Sequence, residues 1–214
     1  MGRAVASKFC SALTMLRPRL IACLLIHNGG LVKTVRFAEP KYVGDPLNAV
    51  RILNEKGVDE LFVADIDATA EGREPDYKVI ANLANECRMP LCYGGGVTTC
   101  DQIERIIGLG VEKVAIGAAA VERSNLLREG ASRVGRQSIV AVIDVKKVGL
   151  MRRHEVVIRR GSVCTGRDPV EFAQELQGHD AGEILLNSVD RDGTREGYAL
   201  DLAVKVRRRV TIPM

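Results

Sequence analysis

Residues 183–197 read Glu183-Ile184-Leu185-Leu186-Asn187-Ser188-Val189-Asp190-Arg191-Asp192-Gly193-Thr194-Arg195-Glu196-Gly197. An apolar run of strand length passes into a short loop of Asp, Gly and Thr, and a helical segment starts near Ala199. This is the strand-to-helix junction of a βα unit. Ligands of parallel α/β proteins collect at such junctions. Asp190 and Asp192 can accept from a substrate hydroxyl or hold a proton, Asn187 opens the same loop, and Gly193 lets the backbone approach a phosphate. The loop points to chemistry on a phosphorylated polar molecule.

The pattern occurs twice. Glu60-Leu61-Phe62-Val63 leads to Asp65, Asp67, Thr69 and Glu71-Gly72, as residues 183–186 lead to Asp190, Asp192, Thr194 and Glu196-Gly197. Met89-Pro90-Leu91 then answers Ile212-Pro213-Met214. Two like halves indicate a duplicated half-barrel. Apolar runs at 20–26, 60–66, 91–93, 113–117, 139–144 and 183–189 alternate with amphipathic segments at 45–56, 76–87, 99–108, 124–134, 168–176 and 199–209. That alternation predicts an α/β protein with a parallel sheet and crossover helices. A seventh strand begins at Thr211, so about six βα units are present. Segment 152–165 reads as a hairpin turning at Arg160-Gly161-Ser162. The glycine loop that follows Pro90 has its expected counterpart just beyond Met214, and the chain reads as a C-terminally truncated barrel over 15–214.

The 214 residues, 27% charged and 46% hydrophobic, suit one globular domain. A net charge of +4 does not demand a nucleic-acid partner, and the short arginine clusters read as solvated faces or anion steering. No run is long enough to span a membrane. Residues 1–14 read as a disordered extension. The six cysteines form no close pair and no histidine stands at ligand spacing, so no metal site or cofactor is expected; reduced thiols place the protein in the cytoplasm.

Other loops carry further candidates. Gly94, Gly95 and Gly96 follow a strand and precede a helix, so their backbone N–H groups suit a phosphate, although glycine also serves ordinary turns. Asp144 ends a buried strand, where a carboxylate has few structural duties, and is read as a general acid/base. Lys33, placed in the loop after the first strand, is either an anion clamp or a surface lysine. Arg19, Glu60, Lys113 and Glu183 stand at the N-terminal edges of four strands. They are solvated strand-end charges or a polar gate on the barrel axis.

The stretches DELFVADIDATAEGRE (59–74), YGGGV (93–97), VEKVAIGAAAVE (111–122), VAVIDVKK (140–147) and GEILLNSVDRDGTREGY (182–198) carry a family resemblance. Over 15–214 the chain resembles the cyclase subunit of imidazole glycerol phosphate synthase, HisF. The resemblance implies a (βα)8 TIM barrel that takes ammonia from a HisH-like glutaminase subunit. It implies a phosphorylated ribonucleotide substrate, converted to imidazole glycerol phosphate and an aminoimidazole carboxamide ribonucleotide. Under it, Asp144 and Lys33 match catalytic positions, and Asp65 and Asp190 acidic site positions. Gly96 falls in one phosphate loop and Asp192-Gly193 in another, and Arg19, Glu60, Lys113 and Glu183 form an ammonia gate. Two positions depart from the family: Leu25 replaces its first catalytic aspartate, and Gly117-Ala118 replace an Asn and a hydroxyl residue near the first phosphate. These departures resemble a divergent HisF-like branch that hands ammonia on for sugar amidation in surface-polysaccharide synthesis.

Overall fold

A parallel sheet with helices packed on one side must bury that side against them and fill the other with its own inward side chains. The computed structural model, which describes residues 19–214, sorts the parallel strands this way. The expected extension at 1–14 lies outside the described residues. In chain order the elements are β1 (Ile21–His27), β2 (Gly30–Val35), β3 (Ala38–Gly44), α1 (Pro46–Lys56), β4 (Glu60–Asp65), α2 (Tyr77–Glu86), β5 (Leu91–Gly94) and α3 (Cys100–Gly108). They continue with β6 (Lys113–Ile116), α4 (Ala118–Glu122), α5 (Asn125–Val134), β7 (Ile139–Val148), β8 (Arg153–Ile158), β9 (Val163–Cys164), α6 (Pro169–Gly178), β10 (Glu183–Ser188) and α7 (Leu200–Arg207).

Six strands pair in parallel in the order β1-β4-β5-β6-β7-β10, the order of consecutive barrel strands. Among the described residues the sheet is open between β1 and β10. Residues 211–214 form no strand, but the Ile184 N–H donates to the Pro213 carbonyl at 3.0 Å, where a seventh strand would begin to pair. Leu61, Val63, Ile116, Ile139, Ala141, Ile143 and Ile184 face the helices and meet Ile80, Ile103, Leu127, Phe172 and Leu176 in the main core. The opposite face carries a separate small cluster of Phe62, Cys92, Ala115 and Val140.

The helices start where their caps place them. Asp45, Asp76 and Asp168 accept N–H bonds from the first turns of α1, α2 and α6, and Pro46 and Pro169 take first-turn positions where no N–H is needed. Thr99 and Gln102 form a capping box at α3.

Two regions differ from the sequence expectation. Residues 28–44, expected as a loop carrying Lys33, form the antiparallel hairpin β2–β3, so Lys33 lies on a strand in register with Lys41. The cause is the Asn28-Gly29 pair, whose φ values of 49° and 73° make the tight turn that sends the chain back along β1. The strand at 139–144 runs on to Val148 because it continues into an antiparallel pairing with β8. The hairpin turn at 159–162 forms as expected.

These features are the same event repeated: β1 and β7 each extend past the sheet and fold into a three-stranded meander. The second turns even match, with Arg36 and Phe37 at φ 54° and 61° and Arg159 and Arg160 at 51° and 58°. Each acidic loop grips the meander of the opposite half. Asp192 accepts from Thr34 Oγ1 at 2.8 Å and the Phe37 N–H at 3.0 Å, and Asp67 accepts from Arg160. Gly193 sits at φ 66°, and a Cβ there would lie 2.1 Å from the Thr34 carbonyl oxygen. Gly193→Ala therefore adds left-handed strain to a clash with backbone and loses roughly 2 kcal/mol or more. Hydrogen exchange of the Arg36 and Phe37 amides, both bonded to Asp192, should speed up in this variant while that of the β4–β5 ladder does not.

Candidate functional site

At the N-terminal end of the sheet the four charges come together in a closed ring. Arg19 bonds Glu60 at 2.7 Å and also Glu183, and Lys113 Nζ reaches Glu60 at 2.8 Å and Glu183 at 2.8 Å. Strand alternation drives the meeting, because Glu60, Lys113 and Glu183 all occupy inward positions at strand starts. Glu60 is buried, with its side chain only 5% exposed. Burial pulls the Lys113 ammonium down, and bonds to Glu183 and Glu60 more than offset it, leaving it above its ordinary value.

A cavity of about 630 Å³ rises from this ring. Glu60 and Glu183 line one end, Phe62, Cys92 and Val140 an apolar inner wall, and Asn187 and Asp192 the other end, while Ile184, Leu186, Leu202 and Met214 line the side that follows the free edge of β10. Behind the cavity-lining Asn187, Asp144 stands in register on the neighbouring strand, with Asn187 Nδ2 donating to Asp144 Oδ1 at 3.2 Å. Loss of hydration pushes the Asp144 carboxyl up to about 7; Asn187 opposes the shift and the nearby Asp192 charge adds to it. A group with that pKa exists in both protonation states at neutral pH and can donate or accept.

Most other candidates are already engaged. Asp190 accepts from the Lys147 N–H at 2.8 Å, and Asp65 Oδ1 accepts from the N–H groups of Asp67 and Ala68, tying each to a neighbouring backbone. Asp192 and Gly193 fasten the meander described above. Gly95 fits because a Cβ would lie 2.4 Å from the Asp65 carbonyl oxygen, and the Gly96 N–H already donates to Thr69 Oγ1 at 3.1 Å. Gln102 Oε1 accepts from the Thr98 and Thr99 N–H groups, leaving fewer free donors than a glycine loop before a helix suggests. Lys33 is exposed and, by strand alternation, on the face of the hairpin opposite to Thr34, which meets Asp192. Leu25 is in register with Ala64, so this level of β1 presents only hydrocarbon.

Asp67 was not singled out from the sequence as a site residue. Its carboxylate is 1% exposed and accepts from the His27 ring, the Asn28 N–H and Arg160. Its place in the repeat, two residues after Asp65 as Asp192 follows Asp190, is the signal that marks it. A second cavity of about 680 Å³ beside the β7–β8 turn has a mixed lining, with Arg36, Lys147, Arg152 and Arg191 facing Asp190, Glu196 and Asp201. No described helix is long and apolar enough to cross a membrane.

An ordered parallel βα array with helices on one face and acidic groups at the C-terminal strand ends has the strand order and layering of a TIM barrel, here open between β1 and β10 among the described residues. The chain belongs to the histidine biosynthesis protein family, whose profile matches residues 19–214 and whose members are TIM barrels. It is 51% identical over 200 residues to a Leptospira interrogans protein provisionally named imidazole glycerol phosphate synthase subunit HisF, covering 94% of this chain and 79% of that one. It is 50% identical to the Vibrio vulnificus protein provisionally named subunit hisF3, covering 94% and 77% of the two chains. Identity to the imidazole glycerol phosphate synthase subunit HisF of Sulfurisphaera tokodaii is 42%, covering 94% and 80%.

Two outcomes test the site's electrostatics. Lys113→Met leaves Arg19 as the one cation of the ring for both the buried Glu60 and the nearly buried Glu183 and should cost about 2 kcal/mol at pH 7 in urea unfolding, partly recovered by adding Glu60→Gln. Asp144 is bound more tightly to its proton in the folded state than in the unfolded one, so stability falls as pH rises from about 4 to about 7. Asp144→Asn removes this loss, and its Tm should exceed that of the wild type at pH 8 and match it at pH 4.

Proposed function

We propose that the chain is a HisF-type cyclase subunit of imidazole glycerol phosphate synthase, supplied with ammonia by a HisH-like glutaminase bound at the ring end of the sheet. The observation that carries the reading is the juxtaposition of a closed charge ring, an apolar conduit and a proton-exchanging carboxylate at its far end. A lysine held between two carboxylates can release one of them and open a path without leaving the other unpaired. The stretch lined by Phe62, Cys92 and Val140 solvates neutral ammonia far better than ammonium, so nitrogen travels as the nucleophile. At the upper end Asp144 exchanges protons with a phosphoribulosyl-formimino ribonucleotide as ammonia adds and the ring closes. By the family resemblance we assign the phosphates of this substrate to the Gly95-Gly96 turn and the Asp192-Gly193 loop, where the Gly95 and Gly193 N–H groups would serve because the Gly96 N–H and the Asp192 carboxylate are taken up within the fold, and the products to imidazole glycerol phosphate and an aminoimidazole carboxamide ribonucleotide. The names of the relatives, subunits of imidazole glycerol phosphate synthase, support the reaction class.

Leu25 favours a second reading. With hydrocarbon where the family carries its first catalytic aspartate, the same conduit would deliver ammonia to a different acceptor, such as the enzyme that amidates a surface-polysaccharide sugar. Turnover of the formimino ribonucleotide with ammonium salt decides between them. The cyclase reading expects product formation in the wild type and a loss of a hundredfold or more in Asp144→Asn; absence of product in the wild type favours delivery elsewhere. Both readings expect Lys113→Ala to uncouple glutamine hydrolysis by the partner from use of the ammonia, measured as glutamate released per product formed.

A further inference from the structure

On the cyclase reading, the β1 side of the site lacks a proton-transferring group at Leu25, and the structure offers one a single inward position further along the same strand. The inner face of β1 carries Ile21, Cys23, Leu25 and His27, since Ala22, Leu24 and Ile26 pack among the helix-facing core residues. Two residues of strand advance the side chain by about 6.6 Å toward the C-terminal face. His27 is therefore placed above Leu25, at the end of the sheet where Asp144 stands.

The His27 ring is held as a catalytic base would be. Its Nδ1 lies 2.7 Å from Asp67 Oδ1, and Asp67 is buried while the His27 side chain keeps 28% exposure. Burial pushes the Asp67 carboxyl up, but the Asn28 N–H at 2.8 Å, the His27 ring and Arg160 outweigh it and hold the group below the usual carboxylate range. An ionised Asp67 accepts from Nδ1–H, which fixes the tautomer and leaves the Nε2 lone pair outward. Among the described residues Nε2 meets only the exposed amide of Asn28 at 3.1 Å, a partner on a turn that can rotate away or turn its oxygen to a protonated ring. The charged groups around the ring are Asp67 from the loop after β4 and, through Asp67, Arg160 from the β8–β9 turn, which also donates to the Ile66 carbonyl at 3.0 Å. With Asn28 and Arg160 already bonded to it, Asp67 does not need an imidazole to satisfy it.

We propose that His27, oriented by the positioning residue Asp67, transfers protons on the β1 side of the site, the task for which the family uses a carboxylate at position 25. The inference rests on the cyclase reading above. In the step, an N–H or O–H bond of the substrate breaks with its electron pair left on the substrate, and an Nε2–H bond forms on His27. The imidazolium faces the Asp67 carboxylate, which stays ionised, and the proton later returns to a leaving group or to water through the exposed ring edge.

The test is the pH profile of ammonia-dependent turnover of the formimino ribonucleotide for the wild type, His27→Gln, Asp67→Asn and Asp144→Asn, with a Tm for each. Expected is a fall in kcat of about a hundredfold in His27→Gln at unchanged Tm, with loss of one limb of the profile. In Asp67→Asn, where the ring loses the carboxylate that orients it, kcat falls about tenfold or more while KM stays near the wild-type value. An unchanged kcat in His27→Gln beside an inactive Asp144→Asn overturns the proposal and leaves the cyclase reading standing. No turnover in the wild type overturns that reading and the proposal with it. Should His27→Gln unfold, nitrogen NMR of the wild-type ring decides: a proton resident on Nδ1 and a titrating Nε2 support the assignment, and a resident Nε2 proton overturns it.

Discussion

A carboxylate at Glu60, buried on the inner face of a parallel sheet, can be tolerated only with cations against it. Lys113 and Arg19 meet that need, and Glu183 balances the second positive charge. The four residues come from β1's approach, β4, β6 and β10, so the ring closes in one relative register of these strands. A slip of one residue in any of them turns its charge toward the helix-facing core, where nothing is present to pair with it. The ring is thus a register lock for the whole inner face, and it places Phe62, Cys92 and Val140 above it and Asp144 and Asn187 at the far end.

The opposite end is held differently. The repeat that writes two acidic loops also writes two meanders, and each loop fastens the meander of the other half: Asp192 to Thr34 and Phe37, Asp67 to Arg160. Carboxylates that look catalytic in sequence are therefore partly occupied with building the mouth. Asp144 is the exception, since only Asn187 donates to its carboxyl among the described residues and lost hydration dominates its proton affinity. The carboxylates that fasten the meanders are thus distinct from the one whose proton affinity burial raises.

Much of this was legible in the chain. Strand and helix alternation, the aspartate and proline caps, the hairpin turn at residues 159–162 and the repeat of acidic loops all leave local patterns, because each is decided within a few residues. The hairpin at 28–44 was legible too, in Asn28-Gly29 and the alternation Val32-Lys33-Thr34-Val35, but the glycines read more readily as a loop. Asp144 stands out in the sequence because a carboxylate terminating an apolar strand conflicts with burial, and the structure shows that burial as a raised proton affinity.

By itself the sequence determined the order of elements, which face of each strand turns inward, and which charges stand at strand starts. Tertiary structure decided what those groups meet. Thr34 and Asp192 are 158 positions apart, and Asp67 and Arg160 are 93 apart. No local pattern encodes such contacts. They follow from closing two halves against each other, which also sets why Gly193 must lack a side chain and why a histidine beside an apolar Leu25 has a buried carboxylate at its back.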